Sequence, residues 1–144
     1  MAKQGDATGV WMAPMAFDVT TGSGHTIRLD VRAADGGEDS GPSPMELLLA
    51  ALAGCTGMDV ISILRKMHQD VRAYEVRVHG VRAEEHPQVY TAITVEHVLT
   101  GHNIAASAVE RAIALSDNKY CGVENTLNKT ATVTTSYRIV ESGE

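Results

Sequence analysis

Gly41-Pro-Ser-Pro-Met-Glu-Leu-Leu-Leu-Ala-Ala-Leu-Ala-Gly-Cys-Thr-Gly-Met-Asp-Val60 decides how the rest of this chain is read. Ser43 stands at a helix N-cap, Pro44 at the first helical position and Glu46 three residues after the cap. This is a capping box with a favoured proline. The spacing predicts a helix over about 44–68. Apolar residues surround its first three turns, so it is expected to be the buried central element. The uncharged run from Leu47 to Met58 falls well short of the ~20 residues a membrane helix needs.

Working outward, Trp11 to Val31 carries alternating and β-branched residues around Thr21-Gly22-Ser23-Gly24-His25. That pattern predicts an N-terminal hairpin, about 9–32, with a glycine-rich turn. A polar loop, Ala34 to Ser43, leads into the helix. Beyond it, Arg72 to Arg82 alternates with Tyr74, Val76 and Val78 on one side. Val89 to Leu99 alternates with Val89, Ile93, Val95 and Leu99 together, and Glu84-Glu85-His86-Pro87 forms the turn between them. Asn103 is the expected cap of a second helix, Ile104 to about Lys119, and a last strand is expected over about Lys129 to Val140. The order ββ-α-ββ-α-β describes one α+β domain over 1–144 with mainly antiparallel sheet. A lone hairpin is marginally stable in water, so the leading hairpin is expected to pack on a second subunit.

The chain has 144 residues and a formal charge of −6. Its basic residues are scattered singly, which argues against nucleic acid and anionic membranes as partners. The polar Met1 to Gly9 lacks a signal-peptide pattern, so a cytoplasmic location is expected. Neither Cys-x-x-Cys nor His-x₃-His spacing occurs and the six histidines are dispersed, so no metal site is expected. His97 is read as a satisfied core histidine.

The chemistry rests on two cysteines. Cys55 lies mid-helix among Ala53, Gly54, Thr56 and Gly57; its bland reading is a small buried hydrophobe. Cys121, in Asn118-Lys-Tyr-Cys-Gly-Val-Glu-Asn-Thr-Leu127, follows a helix end at a position favouring exposure and mobility. Its bland reading is an incidental surface thiol. Together, a buried helical thiol and a mobile one suit a peroxidatic and resolving pair, which requires Cα atoms within ~7 Å. Such a thiolate needs a cationic or hydrogen-bonding partner. The candidates are His25, Arg28 and Arg32. Asp59, one helical turn after Cys55, is expected to hydrogen-bond a neighbouring element. Glu46 falls on the side of an unbroken helix opposite Cys55, so capping explains it better than catalysis.

The stretches Gly41–Val60 and Lys119–Leu127 resemble the OsmC/Ohr family, and within it the OsmC-like, YhfA-like branch. The resemblance implies an intertwined α+β homodimer, with sheets wrapped around two central helices and active sites at the subunit interface. It implies reduction of organic hydroperoxides to alcohols in oxidative stress defence, with Cys55 as the peroxidatic and Cys121 as the resolving cysteine. No cofactor is implied; an external dithiol reductant is. The substrate pocket is expected to be lined by Met45, Leu49, Leu52 and Met58. In the family's peroxidases an acidic residue ten positions before the first cysteine holds an arginine against the thiolate. Here that position is Met45, with Glu46 one place later, and the hairpin turn that supplies the arginine reads Ser23-Gly24-His25. His25 and Arg28 are the candidate substitutes. The family's Cys-Pro is Cys121-Gly122 here. The alternative to a peroxidase is a non-enzymatic small-ligand-binding or redox-sensing protein that lacks this clamp.

Overall fold

The computed structural model describes residues 2–143 and divides into two compact units between Leu48 and Leu49. In the first unit, β1 (Ala7–Met12), β2 (Ala16–Thr21) and β3 (Thr26–Leu29) form an antiparallel meander in the order β1-β2-β3. The sequence predicts a single hairpin here. Ala13-Pro14-Met15 reverses the chain once more, and Trp11 Nε1 closes that turn by donating to the Pro14 carbonyl at 3.0 Å. Asp30 then anchors the following loop. Its buried carboxylate accepts from the Ser40 hydroxyl at 2.6 Å and from the backbone N–H groups of Ser40, Val31 and Glu38. Those donors, the Ser40 hydroxyl foremost, hold its pKa down at about 2.

Helix α1 (Pro44–Lys66) starts where the capping box predicts. Ser43 N–H donates to Glu46 Oε1 at 3.0 Å, and Glu46 N–H donates to Ser43 Oγ at 3.3 Å. The helix is not buried on all sides. Only the stripe Leu52, Thr56, Val60 and Leu64 is closed off within the chain, whereas Met58 is 73% exposed. By length and composition α1 would suffice to cross a membrane, with a mean hydropathy of 2.0. Its buried stripe is instead part of a globular core.

That core belongs to the second unit. β4 (Asp70–Arg82) pairs antiparallel with β5 (Tyr90–His102), and β5 pairs parallel with β6 (Thr132–Glu141). A parallel neighbour requires a crossover. It is supplied by α2 (Ala106–Leu115), a π-helical turn (Ser116–Tyr120) and α3 (Gly122–Leu127). Val60 and Leu64 of α1 pack with Leu99, Ile104, Val109, Ala112 and Ile113. Gly57 lets α1 approach the sheet closely, since a Cβ there would lie 3.3 Å from Val76 Cγ2. On another side of the helix, nothing lies within 4 Å of a Cβ built at Gly54. The fold is α+β, as the sequence predicts, with the added strand β1 and the second helix split in two. Asn103 is not the cap of α2. Its φ is 51°, its N–H donates to Glu141 Oε1, and Ala105 takes the cap position.

Candidate functional site

Both sulfurs lie in the second unit. α1 carries Cys55, Thr56 and Asp59, while the π-helical turn ends at Cys121, which caps α3. The Cys55 Sγ, the Cys121 Sγ and a carboxylate oxygen of Asp59 all lie within 4.8 Å of one another. Both cysteines are free thiols. These three residues are also the group that could hold a metal ion, although no local spacing in the sequence announces them.

The exposure of the thiols reverses the expectation. Cys121 is 0% exposed and Cys55 is half-buried. Cys121 does not trail from a fraying helix. Its N–H donates to the Ser116 carbonyl at 2.8 Å, and its Sγ accepts from the Glu124 N–H at 3.3 Å as the N-cap of α3. Burial pushes the Cys121 thiol up, to about 12; the Glu124 N–H opposes this and the neighbouring Cys55 thiol adds to it. At neutral pH Cys121 is therefore a protonated thiol, and Cys55 is the more accessible of the two within the chain.

Asp59 takes the hydrogen-bonding role read for it. Ser116 Oγ donates to Asp59 Oδ2 at 3.0 Å and lies 2.9 Å from Thr56 Oγ1. A hydroxyl has one proton. With that proton given to Asp59, Thr56 is the donor to Ser116. Ser116 is held at the end of α2 by its N–H bonds to the Ala112 and Ile113 carbonyls, and the π-helical turn that follows carries the chain on to Cys121; such turns recur at functional sites.

On the other side of Cys121 lies an acidic pair. Glu124 is 5% exposed, and its pKa is pushed up to about 7 by burial first and by Asp117 second. One Asp117 carboxylate oxygen, Oδ1, is buried without a hydrogen-bond partner among the described residues. His97 is fully buried, as expected of a core histidine, but only half satisfied. Nδ1 lies 2.6 Å from the Tyr74 hydroxyl, and Nε2 has no partner among the described residues. Burial lowers the His97 pKa, with Asp117 pulling the other way, so the ring is neutral.

Within the first unit, the expected supporting residues Arg28, His25 and Glu46 each have a partner of their own. Arg28 makes a bidentate pair with Asp18 across β2 and β3, at 2.7 and 2.9 Å, which raises its own pKa and lowers that of Asp18. His25 Nδ1 lies 3.0 Å from Ser23 Oγ in the turn. Glu46 is held by Ser43, whose N–H keeps its carboxyl below the usual range. Of the expected pocket residues, Leu52 is sealed in the core and Met58 is 73% exposed within the chain. A groove of about 300 Å³ instead lies beside Asp59, lined by Asp59, Ser62, Ile63, Lys66, Leu115 and Tyr120. Sequence reasoning missed Ser116, Asp117 and Glu124. The latter two stand four residues before and three after Cys121, which is the local signal that points to them.

Comparison with known proteins agrees with this architecture. A family model described as OsmC-like protein matches residues 37–136. Protein YhfA of Escherichia coli K12 is 40% identical over 130 residues, covering 90% of this chain and 94% of its own. A hypothetical protein from Aquifex aeolicus VF5 superposes with a TM-score of 0.86 at 28% identity, over 99% of this chain and 100% of that one. An organic hydroperoxide resistance protein OsmC from Legionella pneumophila shares the fold, with a TM-score of 0.70 at 15% identity over 95% and 98% of the two chains. On sequence and architecture alike, the chain belongs to the OsmC-like protein family.

Proposed function

We propose that the protein is a thiol-dependent peroxidase that reduces organic hydroperoxides in the cytoplasm. Membership of the OsmC/Ohr family suggests a redox or peroxide-defence role. The observation that carries the finer reading is the approach of the two free thiols, one of them half-exposed. The Cys55 thiolate attacks the distal peroxide oxygen, and the O–O bond breaks. The alkoxide leaves and takes a proton to become the alcohol, while Cys55 becomes a sulfenic acid. The Cys121 sulfur then attacks the Cys55 sulfur, losing its proton as hydroxide leaves, so that water departs and a disulfide remains. A dithiol reductant returns both cysteines to thiols.

The acting form is a homodimer. The open side of α1, with Gly54 and Met58, and the exposed Val10, Trp11, Phe17 and Ile27 of the meander are the apolar surfaces that a second copy covers.

A second reading has its own support. Arg28 is held by Asp18 and Glu46 by Ser43, so each already has a partner that competes with any clamp on a thiolate. A small-ligand-binding or redox-sensing role follows if the thiols react slowly. Reduced protein treated with stoichiometric cumene hydroperoxide, or with hydrogen peroxide, separates the two. Rapid loss of two free thiols with the organic oxidant is the expected result for the peroxidase. Slow loss with both oxidants rejects it.

A further inference from the structure

We propose that the reduced protein binds one zinc-type divalent cation through Cys55 Sγ, Cys121 Sγ and an Asp59 carboxylate oxygen, with water in the fourth position. This goes beyond the peroxidase reading and does not depend on it.

The donor set suits such an ion. Zinc takes thiolate and carboxylate ligands in tetrahedral geometry, and with Zn–S near 2.3 Å two ligating sulfurs stand about 3.8 Å apart. The three donor atoms already lie within 4.8 Å of one another, so side-chain adjustments of about 1 Å or less would close the site. Cys55 and Asp59 are one helical turn apart on α1, and Cys121 enters from the cap of α3.

The surroundings provide a second, independent argument. Ser116 Oγ donates to Asp59 Oδ2, an outer bond that orients the carboxylate beside the two sulfurs. The Glu124 N–H donates to Cys121 Sγ, the kind of outer bond that steadies a ligating thiolate. The same Glu124 adds a carboxyl group close by. Among the described residues, none of the ion pairs reaches Asp59, Asp117 or Glu124. Lys66 is the basic side chain of the groove beside Asp59. Once ligating, the sulfurs are thiolates, and burying them without a counter-charge would be costly. A divalent cation supplies that charge.

Binding releases two thiol protons to solvent and leaves the sulfurs as thiolates on the ion. Since a disulfide has no thiolates, the metal and the disulfide are alternative states of the same pair.

Titrating the reduced, tag-free full chain with Co²⁺ under anaerobic conditions tests this. The expected result is a thiolate-to-cobalt charge-transfer band with tetrahedral ligand-field bands. It should saturate at one ion per chain and be displaced by equimolar Zn²⁺. Asp59→Asn should keep the charge-transfer band but weaken binding at least about tenfold, and Ser116→Ala should weaken it by about tenfold. The Cys55→Ser, Cys121→Ser double variant should lose the band. A spectrum without that band in the wild type overturns the proposal, as does a band that survives the double variant or affinity unchanged by Asp59→Asn. The wild-type result stands even if a variant misfolds. Because the readout needs no peroxide, its failure is distinct from failure of the thiol-loss assay.

Discussion

At the scale of single residues, the site is decided by burial rather than by residue type. Cys55 and Cys121 have the same side chain, yet Cys121 is sealed from solvent and kept protonated while Cys55 is half-open. Glu124 shows the same force on a carboxyl group. Its folded pKa, pushed up to about 7, lies above the ~4.3 of an unfolded glutamate. Between those values the native state holds a proton that the unfolded chain has lost. This group's contribution to stability is therefore complete below about pH 4 and declines as pH rises through 7. Glu124→Gln keeps the shape and cannot ionise, so it should flatten part of that decline and be the more stable protein at pH 8. Urea unfolding of both proteins across pH 5 to 8 checks this; parallel curves would count against it.

At the scale of elements, α1 shows how much a local pattern can carry. Its capping box forms as the spacing of Ser43 and Glu46 predicts, because a cap is made by residues three apart and needs nothing from the rest of the fold. Ser43→Ala should cost about 0.5–2 kcal/mol in denaturant unfolding, the usual range for a lost N-cap. The second helical segment was less legible. Its apolar stripe marks a helix, but not the π-helical turn at Ser116–Tyr120 that breaks it. The turn begins at Ser116, which meets Thr56 and Asp59, residues far away along the chain. Asn103 misled for a related reason: it is a good cap by type, but its φ of 51° is not the extended conformation of an N-cap, and the helix begins only at Ala106 behind Ala105.

At the scale of the whole molecule, the open side of α1 is the feature that asks for a partner. A helix with so many apolar residues and so narrow a buried stripe leaves much apolar area in water. Met58→Lys places a charge on that side without touching the buried stripe. It should shift the protein from dimer to monomer in light scattering while leaving the far-ultraviolet circular dichroism intact. A wild-type monomer at the same concentration would defeat the homodimer.

What the sequence determined by itself was the set of elements: the capped helix, the alternating strands of an α+β order, and the two family stretches that contain the cysteines. Each is written in neighbours a few residues apart, where backbone geometry turns spacing directly into structure. Only the tertiary structure decided which thiol is buried, that Asp59 joins both sulfurs, and that Glu124 and Asp117 act on each other beside the buried thiol's own cap. Those outcomes depend on distances between segments remote in the chain and on the water excluded when they pack, and local periodicity records neither.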